Sequence, residues 1–180
     1  MKQSIQLLDL IPKEKLDEIL QAVNEACGIG SVIADTDGHP ISSESNFSHF
    51  CKNYCRATEL GRTKCYASDA YGGAMALNQK EPYLYDCHNS GLVDCATPII
   101  VEGHHLANLN GGQVLEEPIP EVEAIARAKA IGIEDVDGYL RALRKIPRVK
   151  RSRLRKIVNL MSVITETISE LALQKNLLAK

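Results

Sequence analysis

The sequence predicts an α+β fold: one mostly antiparallel sheet of about five strands, with helices on one face and a long helix at the C-terminus. Three observations carry this reading. Stretches of helical and strand character follow one another in the order helix, two strands, helices, three strands, helix. The last two strand-like runs are joined by Glu102-Gly103-His104, a connection of hairpin length. From Leu154 onward apolar residues recur at alternating spacings of three and four, the period of a helix with one apolar seam.

Each element has a local reason. Pro12 suits the start of a helix, and Leu16, Ile19, Leu20, Val23 and Cys27 then follow at helical spacing until Gly28 closes it. Ser31 to Ala34 is β-prone, and the turn Asp35-Thr36-Asp37-Gly38 leads to a second short strand around Pro40 to Ser42. Ser48 can cap a short helix carrying Cys51 and Cys55, and Thr58 a longer one from Glu59 to about Gln79. Within that longer helix Gly72-Gly73 costs stability unless something must approach closely. Three strands are expected next, at Tyr83 to Tyr85, Leu92 to Val101 and Leu106 to Leu115. Glu121 to Ile131 and Val136 to Lys145 read as helices, the second stopped by Pro147. The last helix starts near Lys150 and places Leu154, Ile157, Met161, Ile164, Ile168 and Leu171 along one seam, widened by Val158.

With 180 residues, 44% of them hydrophobic and 24% charged, the chain is long enough to bury a core without disulfides. Its formal charge of -2 gives no global attraction to nucleic acid or anionic membrane. The residues from Met1 to Glu18 are interrupted by Gln3, Asp9, Lys13, Glu14 and Asp17, so they lack the apolar core of a secretory leader, and no stretch has the ~20 apolar residues of a membrane span. A cytoplasmic location and no membrane contact are the expectation. The basic stretch 144–156, with Arg144, Lys145, Arg148, Lys150, Arg151, Arg153, Arg155 and Lys156, lacks a helix-turn-helix pattern and reads as a solvated helix flank; nucleic acid is not expected as a partner.

Five cysteines fall between residues 51 and 95. In a reducing compartment such a cluster asks for a metal or a redox role before a disulfide framework. Cys51 and Cys55, four apart on a helix, lie on one face with Cβ atoms ~5–6 Å apart. Cys65 and Cys87 can add two more thiolates, which makes Cys51, Cys55, Cys65 and Cys87 candidate ligands of a metal ion, an iron-sulfur cluster or a haem centre. The gaps between them are not those of a zinc ribbon or a ferredoxin. Buried thiols that simply pack are the competing reading. Cys95, alternating with Val93 and Thr97, is expected to pack in the sheet or line a pocket. His88 joins Cys87 at one ion only if the strand has ended there, as Asn89-Ser90 and Gly91 suggest. His104 and His105 sit in the predicted hairpin turn, and no nucleophile elbow or phosphate loop is present.

Several runs together resemble the PocR sensory domain family. They are Leu8-Asp9-Leu10-Ile11, Ile33 to Ile41, Phe50-Cys51, Gly61 with Cys65, Ser68-Asp69, Tyr85-Asp86-Cys87-His88, Gly91-Leu92-Val93-Asp94, Pro98-Ile99 and Gly111-Gly112-Gln113-Val114. The resemblance covers about residues 6 to 172 and implies a PAS-like module that senses small organic molecules, usually fused to a DNA-binding domain, a histidine kinase or another output. Cys51, Cys65 and Cys87 fall on the family's recurrent cysteines, whereas Cys55 and Cys95 are additions. It further implies a sensory domain over 6–147, followed by a signalling and dimerisation helix over 148–180 through which two copies pair. A kinase or transcriptional regulator is the expected downstream partner.

On this basis Tyr85, His88, Asp94, Cys95 and Gln113 are candidate ligand-binding residues, and Cys51, Cys55, Cys65 and Cys87 candidate metal ligands. No catalytic residue is expected. A thiol- or metal-dependent enzyme using Cys65 or Cys87 with His88 is the second reading, and a redox-responsive regulator binding nucleic acid through 144–156 the third.

Overall fold

The computed structural model describes residues 5–178; the last two residues of the expected 148–180 segment lie outside them, as do the first four of the chain. Pro12 stands immediately before helix α2 (Lys13–Cys27), after a single turn of helix, α1 (Leu7–Leu10). Gly28 closes α2 in the left-handed conformation, its N–H bonded to Asn24 O. Strand β1 (Gly30–Ala34) follows, then a π-helical turn at Cys51–Cys55, helix α3 (Glu59–Gln79), and strands β2 (Tyr83–Asp86), β3 (Val93–Val101) and β4 (His104–Val114). Helices α4 (Glu121–Ala130), α5 (Val136–Leu143) and α6 (Arg151–Leu178) complete the chain. The sheet is antiparallel throughout, in the order β1-β4-β3-β2. Glu102 and Gly103, both at positive φ, turn β3 into β4 in the manner of a tight two-residue hairpin.

Two expectations are corrected. The sheet has four strands rather than about five, because Pro40 to Ser42 pairs with β1 at a single bridge, Ala34 to Pro40. Pro40 brings no N–H to a ladder, and the N–H of Ile33 is taken at 2.8 Å by the Ser42 hydroxyl instead of by a backbone carbonyl. Nor do the helices cover one face only. Residues Asp94, Asn108 and Asn110 point to the α3 side, while Cys95, Leu109 and Gly111 point to the side occupied by α6. A sheet covered on both faces has strands that are apolar on both, as Val32, Ile33 and Ala34 are in β1.

The α6 side holds the larger core. Leu7, Leu10, Leu16 and Leu20 of the first two helices meet Ile33, Ile99 and Leu109 of the sheet and Leu154, Ile157, Val158, Met161 and Ile168 of α6. The three-four seam of α6 is thereby laid against its own sheet; of the seam residues, Ile164 is half-buried and Leu171 exposed. Polar contacts pin the same helix, with Ile100 N–H donating to Ser169 Oγ at 3.1 Å and Asn176 Nδ2 to Glu102 Oε2 at 2.8 Å. On the other side Phe50, Cys51, Cys55 and Cys65 form a second core with Leu92, Leu115, Tyr139 and the apolar faces of α4 and α5.

Gly72 and Gly73 let α3 lie close on the sheet. A Cβ at Gly72 would fall 2.3 Å from Tyr85 Cε1, and one at Gly73 2.2 Å from Asn108 Nδ2. The glycine pair is therefore a close approach of helix to sheet rather than a weak point.

Candidate functional site

Between the α3 side of the sheet and the π-helical turn lies a cavity of about 30 Å³, the share of liquid volume of one water molecule. Three local devices shape it. The Ser48 hydroxyl accepts the Cys51 N–H at 3.2 Å and starts the turn; Arg56 N–H reaches back five residues to Cys51 O at 2.9 Å, which makes the turn π rather than α. Thr58 caps α3, accepting the Gly61 N–H at 3.0 Å and donating to Ile131 O at 2.7 Å. On the strand side a register shift between Val93 and Asp94 puts Gln113 at positive φ, with its N–H on Asp94 Oδ1 at 2.9 Å and its Oε1 accepting the Ser48 N–H at 2.8 Å. Strand, bulge and turn are thus tied to one another across the cavity.

The four thiols proposed from sequence, those of Cys51, Cys55, Cys65 and Cys87, all line this cavity. All six cysteines are free. Hydrogen bonding to Cys51, burial and the neighbouring thiols push the Cys55 thiol well above the usual range. Burial raises Cys65 to about 12, against the opposing effects of Asn89, whose amide donates to its sulfur at 3.2 Å, and of Arg56. Burial, with Asp94 nearby, raises Cys87 as well. These three are neutral thiols around neutral pH, which disfavours them as nucleophiles. Although the four share a cavity, among the described residues no group of three or more His, Cys, Asp or Glu is arranged to hold a metal ion.

The remaining polar groups are arranged around one guanidinium. Arg56 donates to Glu44 Oε1 and to Asp69 Oδ2, each at 3.0 Å, and lies against the rings of Phe47 and Tyr66 at 4.9 and 5.4 Å. Burial outweighs that ion pair and lifts the Asp69 carboxyl to about 7. Asp94 is lifted to about 6, again by burial, with the Gln113 N–H, the Cys87 thiol and Arg56 pulling the other way. Asn110, 4% exposed, lines the cavity with both Oδ1 and Nδ2 buried and without a protein partner.

Of the residues proposed to bind a ligand, Asp94 and Gln113 line the cavity. Tyr85 lies beside them: its ring packs on Gly72, its hydroxyl is buried without a partner, and burial, Asp94 and Asp69 hold that hydroxyl in its protonated form. His88 is outside, exposed and with its ring 4.4 Å from that of Tyr71, because the strand ends at Asp86 and the following turn directs it to the surface. Cys95 is on the opposite side of the sheet, its thiol donating to Gly111 O at 3.2 Å and lying 3.6 Å from Met161 Sδ. Sequence reasoning did not single out Arg56 or Asn110. For Asn110 a signal existed: Asn108 and Asn110 alternate in a strand whose other central positions are apolar or glycine, so two amides point to one buried face.

A model of the family described as the sensory domain found in PocR matches residues 9–173. The regulatory protein PocR of Salmonella typhimurium is 29% identical over 153 residues, which are 85% of this chain and 50% of that protein. The chain thus spans about half the length of the curated relative it matches. Among the described residues no helix is long and apolar enough to cross a membrane. The matched span takes in every strand of the sheet, the whole cavity and most of α6, and the chain belongs to the family of sensory domains found in PocR.

Proposed function

We propose that this chain is the sensory part of a regulatory system, and that a small molecule binds in the cavity between β4 and the π-helical turn. The observation that carries this is Asn110: an amide with two unpaired polar atoms inside a protein costs stability unless a ligand or water completes it. A PAS-like use of the sheet, with ligand on one side and a signalling helix on the other, agrees with the placement of the cavity and α6. No catalysis is assigned, since the buried thiols are protonated and His88 is exposed and does not line the cavity. The output lies in a kinase or transcriptional regulator joined to this chain or recruited by it. A thermal-shift screen of small metabolites, repeated with Asn110→Leu, tests the reading. Hits that stabilise the native chain and lose their effect in the variant are expected; hits that stabilise both equally place the ligand elsewhere.

A metal ion or cluster held by Cys51, Cys55, Cys65 and Cys87 is the second reading of the same cavity, favoured by the four thiols that line it. Stoichiometric iron or zinc in protein purified without oxygen would establish it.

In the same proposal two copies pair through α6, but by its outer side. Leu160, Val163 and Leu171 are exposed there, with Arg153 and Lys156 towards one end and Glu166 and Glu170 towards the other. Antiparallel pairing sets the basic end of one helix against the acidic end of its partner.

A further inference from the structure

We propose that Cys51 and Cys55 are a dithiol pair that a small hydroperoxide closes into a disulfide, independently of what occupies the cavity beside them. Three observations lead there.

The first is the turn that carries them. In an α-helix the Cβ atoms of residues four apart lie about 5–6 Å from each other, wider than the roughly 3.5–4.5 Å of a disulfide. Cys51 and Cys55 are instead the two ends of a π-helical turn, with the Arg56 N–H on Cys51 O at 2.9 Å. A π turn holds more residues per turn and rises less per residue, so its fifth residue comes back closer to a place above its first. The helix stops at Arg56, which leaves the helical conformation, so drawing the two ends together disturbs no longer element.

The second is which groups each thiol meets. The strongest influence on the Cys55 thiol is its hydrogen bonding to Cys51. The other thiols of the cavity are engaged by groups without sulfur: Cys65 accepts the Asn89 amide at 3.2 Å, and Cys87 the Ser68 hydroxyl at 3.6 Å. Cys95 is on the other side of the sheet, and Cys27 is at the end of α2.

The third is access and charge. Both thiols line the cavity, Cys51 at 8% exposed and Cys55 at 1%, so an oxidant little larger than water can reach them, whereas a disulfide the size of oxidised glutathione would have to unfold the turn. Among two-electron oxidants of thiols, hydrogen peroxide meets that limit. The Arg56 guanidinium attracts the Cys51 sulfur and stabilises the negative charge that develops there as it attacks.

The steps balance. Cys51 sulfur attacks one peroxide oxygen, the O–O bond breaks, and the departing hydroxide takes the Cys51 proton and leaves as water. Cys55 sulfur then attacks the sulfur of the sulfenic acid, the S–O bond breaks, and the second hydroxide takes the Cys55 proton. Two thiols are oxidised to one disulfide and one peroxide is reduced to two waters. The bond fixes the turn between Ser48, which ties it to Gln113, and Arg56, which ties it to Glu44 and Asp69. Oxidation is thereby felt along the cavity wall.

Hydrogen peroxide added to the reduced full chain carrying Cys27→Ser tests the proposal, the substitution removing the second cysteine of the tryptic fragment that contains Cys51. Trypsin cuts after Lys52, between the pair, so a closed disulfide holds two fragments together until a reductant parts them. Of the six free cysteines five then remain, and two of these thiols should be lost and return in full with dithiothreitol, with mass spectrometry joining Cys51 to Cys55. Adding Cys55→Ser should stop the reaction at a sulfenic acid on Cys51 that dimedone traps, while adding Cys65→Ser should leave the cross-link in place. Circular dichroism checks that each variant is folded. A cross-link between any other two cysteines, no loss of thiols in the folded chain, or the same loss after Cys51→Ser overturns the proposal.

Discussion

Arg56 Nη2 lies 3.0 Å from Asp69 Oδ2, and the two side chains are only 9% and 10% exposed. An ion pair this well covered is costly to break from one side, because the charge left behind has no solvent to accept it. Arg56→Ala is therefore expected to lose about 3 kcal/mol or more in urea denaturation, since it strands both Asp69 and Glu44. Arg56→Lys should recover only part of that, as a single ammonium cannot reach two carboxylates through the planar fork Arg56 uses. A loss below ~1 kcal/mol for the alanine variant would mean that the pair is held no better than a surface one.

Stability should fall as the pH rises towards neutrality. Asp69 and Asp94 titrate at about 7 and about 6 in the folded chain, above the ordinary 3.8. Between those limits the folded state holds protons that the unfolded state has released, so the slope of stability against pH is negative. The contribution is whole below 3.8 and is lost as the pH passes through 6 and then 7. Denaturant titrations across this range should show a decline of several kcal/mol, smaller in Asp94→Asn. A flat or rising profile contradicts the burial of these two carboxyls.

Replacing glycine by alanine inside a helix ordinarily gains about 0.5–1 kcal/mol. Here Gly72→Ala and Gly73→Ala should instead each lose about 2 kcal/mol, because the new methyl group meets Tyr85 or the Asn108 amide. Adding Tyr85→Leu to Gly72→Ala should return part of the loss. Gains in both single variants would show that α3 can lift from the sheet at little cost.

The two sides of α6 should respond differently. Met161→Ala removes a fully buried side chain and is expected to cost about 2–5 kcal/mol, whereas Leu160→Ala should stay within about 0.5 kcal/mol. If copies pair through the outer side, Leu160→Glu with Val163→Glu turns a dimer into a monomer in light scattering while the melting of the dilute chain is unchanged. A monomer at all concentrations in the native chain removes the pairing.

Much of this architecture is legible in the order and spacing of the residues. Periodicity locates α2 and α6, the Thr58 cap locates α3, and Gly28 and Thr58 mark ends that the helices do use. Pro40 to Ser42 misleads because β-like composition ignores where N–H groups go; one serine hydroxyl and a proline are enough to stop a ladder. The seam of α6 is readable as apolar but not as to what covers it, since a heptad stripe fits a sheet as well as a second helix. Cys51, Cys55, Cys65 and Cys87 converge on one cavity because the turn and α3 face the same side of the sheet, whereas Cys95 is separated from them by strand parity alone. Arg56 is hidden because its partners, Glu44 and Asp69, are 12 and 13 residues away on opposite sides of it, and no local pattern connects them.

Consecutive residues of β4 have different neighbours: Asn110 faces the cavity, and a Cβ at Gly111 would sit 2.9 Å from Met161 Cε on the other side. One peptide bond is the whole thickness of the wall between them. On the proposed reading, a guest that wedged α3 and the π-helical turn away from Asn110 would push on a strand whose other face is packed against the buried Met161, and the sheet would act as a diaphragm rather than a cushion. Trimming Met161 would then relieve the far side of that strand without removing any group that lines the cavity.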